Sequence, residues 1–274
     1  MSTPFIKPEL LYQIRPLVDQ IRVFGEIDST NDEARRTIMS GLTGSNLIIA
    51  NTQNSGRGRR GRKWVSPAGG IYMSLTWPLH ESLIQPQALS LVSAISVKQS
   101  IESWSQVPLK LKWPNDLLVE GKKLAGILLE LQTSKLTDHI VVGVGINYSL
   151  TEAQKNSIDR KVIDVKELTE NLPAREEIVV SICTNLIENS RKFFNQGFDH
   201  FKRIWNASDC YLGSNIVIKS GTSEKLGKSL GVNNQANLII ETDLGQELIS
   251  SGEIYFDLNE ARRSFDGNTR NRYR

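Results

Sequence analysis

Residues 56–64 read GRGRRGRKW, and no other part of the chain combines glycine and arginine so densely. The glycines at 56, 58 and 61 allow tight turns and a close approach of the backbone to a ligand. The arginines between them carry fork-shaped donors that match phosphate and carboxylate oxygens two at a time. The stretch therefore predicts a clamp for an anionic ligand, with a flexible basic loop as the alternative.

Regular elements are predicted on both sides of this glycine-arginine loop. LIIA (47–50) and IYMSLTW (71–77) are typical of strands, and a capped helix should run from Ser29 or Thr30 to Gly41. Residues 51–70 are interpreted as a loop. No helix follows it directly and GxxxxGK[ST] is absent, so it is not a P-loop.

The remaining pattern predicts an α+β fold with a mixed β-sheet flanked by helices. A buried helix is expected over 87–104, and an amphipathic helix over 178–194 that Gly197 ends. The strand candidates between them are LKLKW (109–113), LAGILLEL (124–131) and IVVGVGIN (140–147). After Trp205, short strands among Gly, Asn, Ser and Thr predict a small all-β module at about 210–258.

Composition excludes several classes of protein. The 274 residues carry a net charge of +3, too little to indicate nucleic-acid binding by itself. No apolar stretch is long enough to span a bilayer and no signal peptide is visible, so a cytoplasmic protein without a membrane role is expected. Cys183 and Cys210 form no CxxC pair, which argues against a zinc site. Residues 261–274 are interpreted as a solvated basic tail.

Three further motifs could carry chemistry. In KWPNDLL (112–118), Pro114 directs Asn115 and Asp116, which could read a purine edge and hold a metal or accept a proton. A turn that caps itself is the alternative. In KLAGILLE, Lys123 could stabilise charge on a transferring group, or be merely solvated. In GVGINYSL, Asn147 ends a buried strand, where close backbone packing is the alternative.

Taken in this order, GRGRRGRKW, KWPND, KLAGILLE and GVGIN closely resemble the catalytic domain of biotin–protein ligases. The resemblance covers about residues 24–205. It implies a class II synthetase-like core over 23–206 after an N-terminal extension (1–22), and an SH3-like β-barrel over 207–260. It also implies that biotin is ligated, with ATP and Mg²⁺ and through biotinoyl-5'-AMP, to a lysine of the biotin carboxyl carrier protein of acetyl-CoA carboxylase.

The same resemblance implies site residues. For biotin they are Ser29, Thr30, Asn31, Gln53, Arg57, Gly58, Arg59, Trp64 and Lys123. For ATP they are Arg59, Arg62, Lys112, Asn115, Asp116 and Asn147. Lys123 and Arg59 would be catalytic, with Asp116 as the base and as a candidate Mg²⁺ ligand.

The chain departs from the family pattern in two places. Too few residues precede Val23 for a helix-turn-helix domain, so no DNA binding is expected. Where some family members place an aromatic residue over adenine, this chain has Val162 and Ile163. Some members form homodimers through the central sheet, which is possible here too.

Two other functions compete with this interpretation. Lipoate–protein ligases share the core fold, but their Arg-Arg-x-Ser-Gly-Gly-Gly loop and downstream His-Asp are absent. A non-enzymatic nucleic-acid-binding protein could use the basic residues at 57–63. The low net charge and the apolar strands around the loop argue against it.

Overall fold

The computed structural model describes residues 6–79, 85–220 and 223–256. Its larger sheet has seven strands in the order β1-β2-β3-β7-β6-β5-β4. They are β1 (Gln20–Ile27), β2 (Asn46–Gln53), β3 (Gly70–Pro78), β4 (Lys110–Lys112), β5 (Asp116–Val119), β6 (Lys122–Gln132) and β7 (His139–Asn147). β1 and β2 are parallel and the other pairs antiparallel, so the predicted mixed sheet is confirmed.

Helices cover both faces of this sheet. They are α1 (Thr30–Met39), α2 (Pro86–Glu102), α3 (Glu152–Asn156), α4 (Arg175–Gln196) and α5 (Asp199–Ser208). On one face, Ala34 and Ile38 of α1 pack against Ile48 of β2 and Val141 of β7. On the other face, α2 and α4 join the main hydrophobic core. Successive residues of β2 point to these two faces in turn, because side chains alternate along a strand with a two-residue period.

Most of the predicted elements lie where the sequence places them. Ser29 caps α1, and its Oγ accepts a hydrogen bond from Asp32 N at 3.4 Å. Gly197 ends α4 with a φ of 77°. The predicted loop over 51–70 is wrong at both ends, because β2 continues to Gln53 and β3 begins at Gly70. The sequence analysis missed β1 and β5 of the large sheet, the helices α3 and α5, and two strands of the second sheet at Ser223–Val232 and Gly245–Ile249.

The second sheet is antiparallel and five-stranded, which confirms the small β module. Its strands are β8 (Asn215–Ser220), β9 (Ser223–Val232), β10 (Leu238–Thr242), β11 (Gly245–Ile249) and β12 (Glu253–Tyr255). They lie in the order β11-β10-β9-β8-β12. The SH3-like barrel and the domain boundaries stay predictions, and the basic tail lies outside the described residues.

The small sheet is attached to the β4–β5 edge of the large one. Trp113 Nε1 and Gln87 Nε2 both donate to the carbonyl oxygen of Ala236, at 3.2 and 2.7 Å. Leu111 also bridges to Asp209 in the connecting segment. One hydrophobic core includes residues of both sheets. Within the described ranges, the structure has no helix with the length and apolar character needed to cross a membrane.

Candidate active site

A neutral hydrogen-bond network lies at the start of α1. Thr30 N donates to Gln53 Oε1 at 2.8 Å, and Gln53 Nε2 donates to Ser66 Oγ at 2.9 Å. Ser74 Oγ lies 2.8 Å from Thr30 Oγ1 and 2.6 Å from Asn31 Oδ1. The cap of α1, the end of β2 and the middle of β3 therefore meet at one place. The structure brings together the predicted residues Ser29, Thr30, Asn31 and Gln53.

Asn31 connects this network to the large sheet. Its Nδ2 donates to Glu130 Oε2 at 2.7 Å, across from α1 to β6. The amide rests on β7 at Gly143, where a methyl group would lie 2.2 Å from Asn31 Oδ1. Glycine is therefore required at 143 for Asn31 to occupy this position, for reasons of space rather than backbone conformation.

The glycine-arginine loop is folded back on itself as an irregular hairpin. Trp64 N donates to the carbonyl of Gly56 at 2.8 Å, and Gly58 N donates to the carbonyl of Arg62 at 2.7 Å. The tip is a 3-10 turn at Arg59–Gly61, in which Arg60 has a φ of 57°. The left-handed conformation at Arg60 is uncommon for a residue with a side chain. Internal hydrogen bonds thus give this loop a defined shape.

Ion pairs hold the two flanks of the loop to different parts of the molecule. Arg57 makes two hydrogen bonds to Asp32 of α1, at 2.7 and 3.2 Å, and lies 3.5 Å from Glu130 Oε1. On the other flank, Arg62 pairs with Glu253 of the small sheet. Arg60 lies 4.0 Å from the same carboxylate. The loop therefore spans the gap between the two sheets.

Trp64 lies flat on a glycine platform formed by β6 and β7. Gly126 and Gly145 are direct partners across these strands. A methyl group at Gly145 would lie 2.5 Å from Trp64 Cε2, and one at Gly126 would lie 2.9 Å from Cζ3. The indole also contacts Lys123, whose Nζ lies 4.9 Å from the ring centroid. These glycines leave room for one flat group above the sheet, and Trp64 fills it here.

Lys123 and Asp116 form an ion pair at the edge of this platform. Lys123 Nζ lies 2.6 Å from Asp116 Oδ1, and the two side chains are only 12% and 15% exposed. Burial lowers the pKa of Lys123 to about 8, against the raising effect of Asp116. Burial alone would raise the pKa of Asp116, but the charge and hydrogen bond of Lys123 hold it below its usual value. Both groups are charged at neutral pH.

The backbone beside Lys123 is completed by a segment from outside the sheet. β7 ends at Asn147, and residues 161–163 take its place next to β6 through a parallel bridge between Lys123 and Val162. Asn147 Nδ2 donates to the carbonyls of Lys123 and Ile163, at 3.0 and 3.2 Å. Asn147 thus fastens this segment to Lys123. Ile163 itself is buried in the main core.

Two other residues expected near the nucleotide have structural contacts. Asn115 Nδ2 donates to the carbonyl of Ile127 at 2.6 Å, which ties the β4–β5 turn to β6. Lys112 Nζ lies 5.4 and 5.6 Å from the ring centroids of Tyr211 and Tyr255, beside the small sheet. The roles of Asn115, Lys112 and Asn147 toward ATP stay predictions.

Arg59 differs from its neighbours in the loop. It is partly buried, yet within the described ranges it makes no ion pair within 4 Å, whereas Arg57, Arg60 and Arg62 all do. Burial, followed by the charge of Arg60, lowers its pKa from the usual value, while Glu253 and Asp116 act in the opposite direction. A guanidinium that is partly desolvated and unpaired is suited to bind an anion.

The site does not fit a magnesium ion held by protein ligands. In the described part of the chain, no three His, Cys, Asp or Glu residues form a metal-binding group. Asp116, the candidate ligand, has Lys123 at one oxygen and Arg160 at 3.8 Å from the other. A carboxylate between two cations is arranged as a counter-ion, so we assign no step to a metal at Asp116.

Comparison with known proteins places this arrangement in a family. Residues 23–147 match the biotin/lipoate A/B protein ligase family. The chain is 33% identical over 226 residues to the bifunctional ligase/repressor BirA of Escherichia coli (strain K12), which is 81% of this chain and 70% of the relative. The chain belongs to the biotin/lipoate A/B protein ligase family.

Other relatives place the chain more narrowly among biotin ligases. It is 30% identical over 235 residues to the biotin–[acetyl-CoA-carboxylase] ligase of Paracoccus denitrificans, covering 84% of this chain and 97% of the relative. Among solved structures, the biotin protein ligase from Aquifex aeolicus in complex with biotin and ATP aligns with a TM-score of 0.73 at 29% identity. That alignment covers 86% of this chain and 97% of the other.

Several residues that shape the site were missed from the sequence. They are Asp32, Ser66, Ser74, Glu130, Arg160, Glu253 and Tyr255. Glu130 did leave a signal, because it is a charged residue in an otherwise apolar strand. Glu253 left none, since it meets Arg62 from 191 positions away.

Proposed function

We infer that the protein ligates biotin to a lysine of the biotin carboxyl carrier protein of acetyl-CoA carboxylase, using ATP and forming biotinoyl-5'-AMP. The observation that carries this function is the glycine platform under Trp64, with uncharged donors and acceptors on one side and Lys123 and Arg59 on the other. The names of the Paracoccus relative and of the biotin- and ATP-bound Aquifex structure support it.

The arrangement suits biotin because that molecule has two different ends. Its fused ring carries a urea, with two N–H donors and a carbonyl, and the valeryl chain ends in a carboxylate. Thr30, Asn31 and Gln53 offer the hydroxyl and amide groups that a urea needs. Trp64 and the platform suit the apolar ring edge, and the carboxylate would extend to Lys123.

The first step makes a mixed anhydride. A carboxylate oxygen of biotin attacks the α-phosphorus of ATP in line, the bond to the bridging oxygen breaks, and pyrophosphate leaves with the electron pair. The protein contributes mainly position and positive charge to such a transfer. We assign that charge to Lys123 and Arg59, with Arg62 near the loop tip. Magnesium would accompany the phosphates of ATP.

The second step transfers the acyl group. The amine of the carrier lysine attacks the acyl carbon, and AMP leaves with the electron pair of the C–O bond. The attacking nitrogen must lose a proton, and Asp116 is the carboxylate within reach of this part of the site. The intermediate is prone to hydrolysis, so the loop of residues 54–65 should exclude water while it waits.

Two assays test this function. Purified protein should exchange labelled pyrophosphate into ATP when biotin is added, and it should then biotinylate a carrier domain. Exchange that depends on lipoate but not on biotin would instead support a lipoate ligase. Salt-sensitive nucleic-acid binding without exchange would support the non-enzymatic alternative.

We also propose a homodimer through the large sheet, which sedimentation of the protein with and without biotin would test.

A further inference from the structure

Asp116 lies between two cations, which the proposed chemistry alone does not require. Lys123 Nζ contacts Oδ1 at 2.6 Å, while Arg160 Nη1 lies 3.8 Å from Oδ2. The positive charges of Lys123, Arg160 and Lys112 all act on this one carboxylate. The positive charges around Asp116 therefore outnumber the negative ones before any substrate is bound.

Lys123 cannot serve Asp116 and a reacting phosphate equally well. One of its three N–H donors is held by Asp116 Oδ1 at 2.6 Å, so an anionic ligand that binds the other two competes with Asp116 for the same positive charge. Asp116 is 15% exposed, and a buried carboxylate that loses its partner is strongly destabilised. Without a replacement counter-ion, the enzyme would resist the motion that catalysis needs.

We propose that Arg160 is a positioning residue that takes over Asp116 as counter-ion when Lys123 turns toward the acyl phosphate. This inference rests on the proposed function, because the ligand that draws Lys123 away is the biotin carboxylate with the α-phosphate of ATP. Arg160 acts through Asp116 and touches neither substrate. Its contact closes from the 3.8 Å of the free protein to hydrogen-bonding distance.

The backbone around Arg160 suits this exchange. Lys123 N donates to the carbonyl of Lys161 at 3.0 Å, and Ile163 N donates to the carbonyl of Lys123 at 3.1 Å. The segment that follows Arg160 is thus hydrogen-bonded to the strand that carries Lys123. The Arg160 side chain is itself 46% exposed, so it has room to move onto Asp116. The backbone segments that carry the two cations therefore keep their spacing while one side chain replaces the other.

The first test compares Arg160→Ala with Lys161→Ala. Lys161 is the matched control because it is adjacent, exposed and equally charged, and the contact it makes to Lys123 uses only its backbone. We expect Arg160→Ala to reduce kcat for adenylate formation about tenfold, the factor that a barrier increase of about 1.4 kcal/mol produces. The KM values for biotin and ATP should stay within about twofold. Lys161→Ala should match the wild type, and Arg160→Lys should recover most of the loss.

The second test asks whether Arg160 acts through Asp116. In an Asp116→Asn background this position has no carboxylate that needs a counter-ion. Adding Arg160→Ala should therefore change kcat for adenylate formation by less than about twofold. An equal loss in both backgrounds would overturn the proposal, because Arg160 would then act on substrate directly. So would a normal rate for Arg160→Ala in the otherwise unchanged protein. A melting temperature equal to that of the wild type shows that each variant is folded.

A crystal structure with a non-hydrolysable sulfamoyl analogue of the adenylate gives an independent result. We expect Arg160 within 3.2 Å of Asp116 and Lys123 on the analogue. Lys123 still on Asp116, with Arg160 turned away, would contradict the exchange. A wild-type protein that binds biotin and performs exchange, yet is unaffected by Arg160→Ala, refutes only the role of Arg160. A wild type without biotin-dependent exchange refutes the proposed function and this role together.

Discussion

The two ends of the site differ in how completely their polar groups are satisfied. At the start of α1, Thr30, Gln53, Ser66, Ser74 and Asn31 form a connected network of neutral groups. At the start of β6, Lys123 and Arg160 share the carboxylate of Asp116. Arg59 has no ion pair within 4 Å in the described part of the chain. The polar groups of the first end are already paired with one another, whereas the second end carries an excess of positive charge that an anion would balance.

This difference separates binding from catalysis. A neutral network that is already in place contacts a ligand equally in its ground state and its transition state, so it should affect affinity. Unbalanced positive charge is most favourable where negative charge develops during the reaction, so it should affect the rate. Substitutions at the two ends should therefore change different kinetic constants.

The largest effect should come from Lys123→Ala. Removing one preorganised charge at a developing anion typically costs about 10²–10³ in kcat, and we expect that loss in biotin-dependent adenylate formation. Lys122→Ala is the matched control, since the neighbouring side chain does not contact Asp116 or Trp64 in the described structure. Quenched-flow measurement of the adenylate checks both. Similar rates for the two variants would remove Lys123 from the reaction.

Gly145→Ala should have the next largest effect, because it disturbs the platform that joins the two ends. The added methyl group would meet Trp64 Cε2 at 2.5 Å and force the indole away from the sheet. Such overpacking costs about 1–3 kcal/mol, and if about 1.4 kcal/mol of it is lost from biotin binding, the affinity falls about tenfold. Calorimetric titration with biotin measures the affinity, and tryptophan fluorescence reports the displaced ring. Unchanged affinity would mean that biotin does not need Trp64 in this position.

Gln53→Ala should produce a smaller change of a different kind. Its amide joins Thr30 to Ser66, so its loss weakens the neutral network without altering charge at Lys123. We expect KM for biotin to rise about fivefold, from the loss of about 1 kcal/mol of hydrogen bonding, with kcat nearly constant. Steady-state exchange kinetics at saturating ATP provide the measurement. A fall in kcat alone would contradict the division between the two ends.

The smallest effect on kcat and KM is expected at a buried carboxylate outside both ends, where the change is in stability. Asp209 lies 7% exposed in the segment that joins the two sheets, and burial raises its pKa to about 6. A raised carboxyl pKa favours the folded state at low pH, and that stability is lost as pH rises through about 6. Asp209→Asn should therefore stabilise the protein at pH 8, by up to about 3 kcal/mol, and have little effect at pH 4. Thermal melts at both pH values test this, and equal shifts would contradict it.

The fold could largely be predicted from the sequence because its signals are local. The two-residue period of β3, the apolar run of β7 and the Ser29 cap of α1 each depend on neighbours in the chain. The helix α5 was missed because its ten residues overlap the expected boundary between the two modules. Strands β9 and β11 were missed because most of their residues are exposed or half-buried, and buried positions occur only toward their C-terminal ends.

The candidate site could be predicted only in part. The residues brought together at α1, the loop and Lys123 were identified through the family resemblance, and their proximity agrees with it. Their partners could not be found in this way, because charge pairing across a fold leaves no local pattern. Arg160 and Asp116 are 44 positions apart, and nothing in either neighbourhood indicates the other. The sequence therefore predicts the candidate reacting groups better than it predicts the groups that steady them.

The ion pair between Arg62 and Glu253 has a consequence for how the enzyme is divided. A shortened chain that stops before Glu253 would retain every residue of the family match at 23–147 and both ends of the site. It would still lose the tether at one flank of the hairpin, leaving Arg57 to hold the other flank alone. The small sheet therefore supports one flank of the glycine-arginine loop, and exchanging it between homologues should alter how long this loop stays closed.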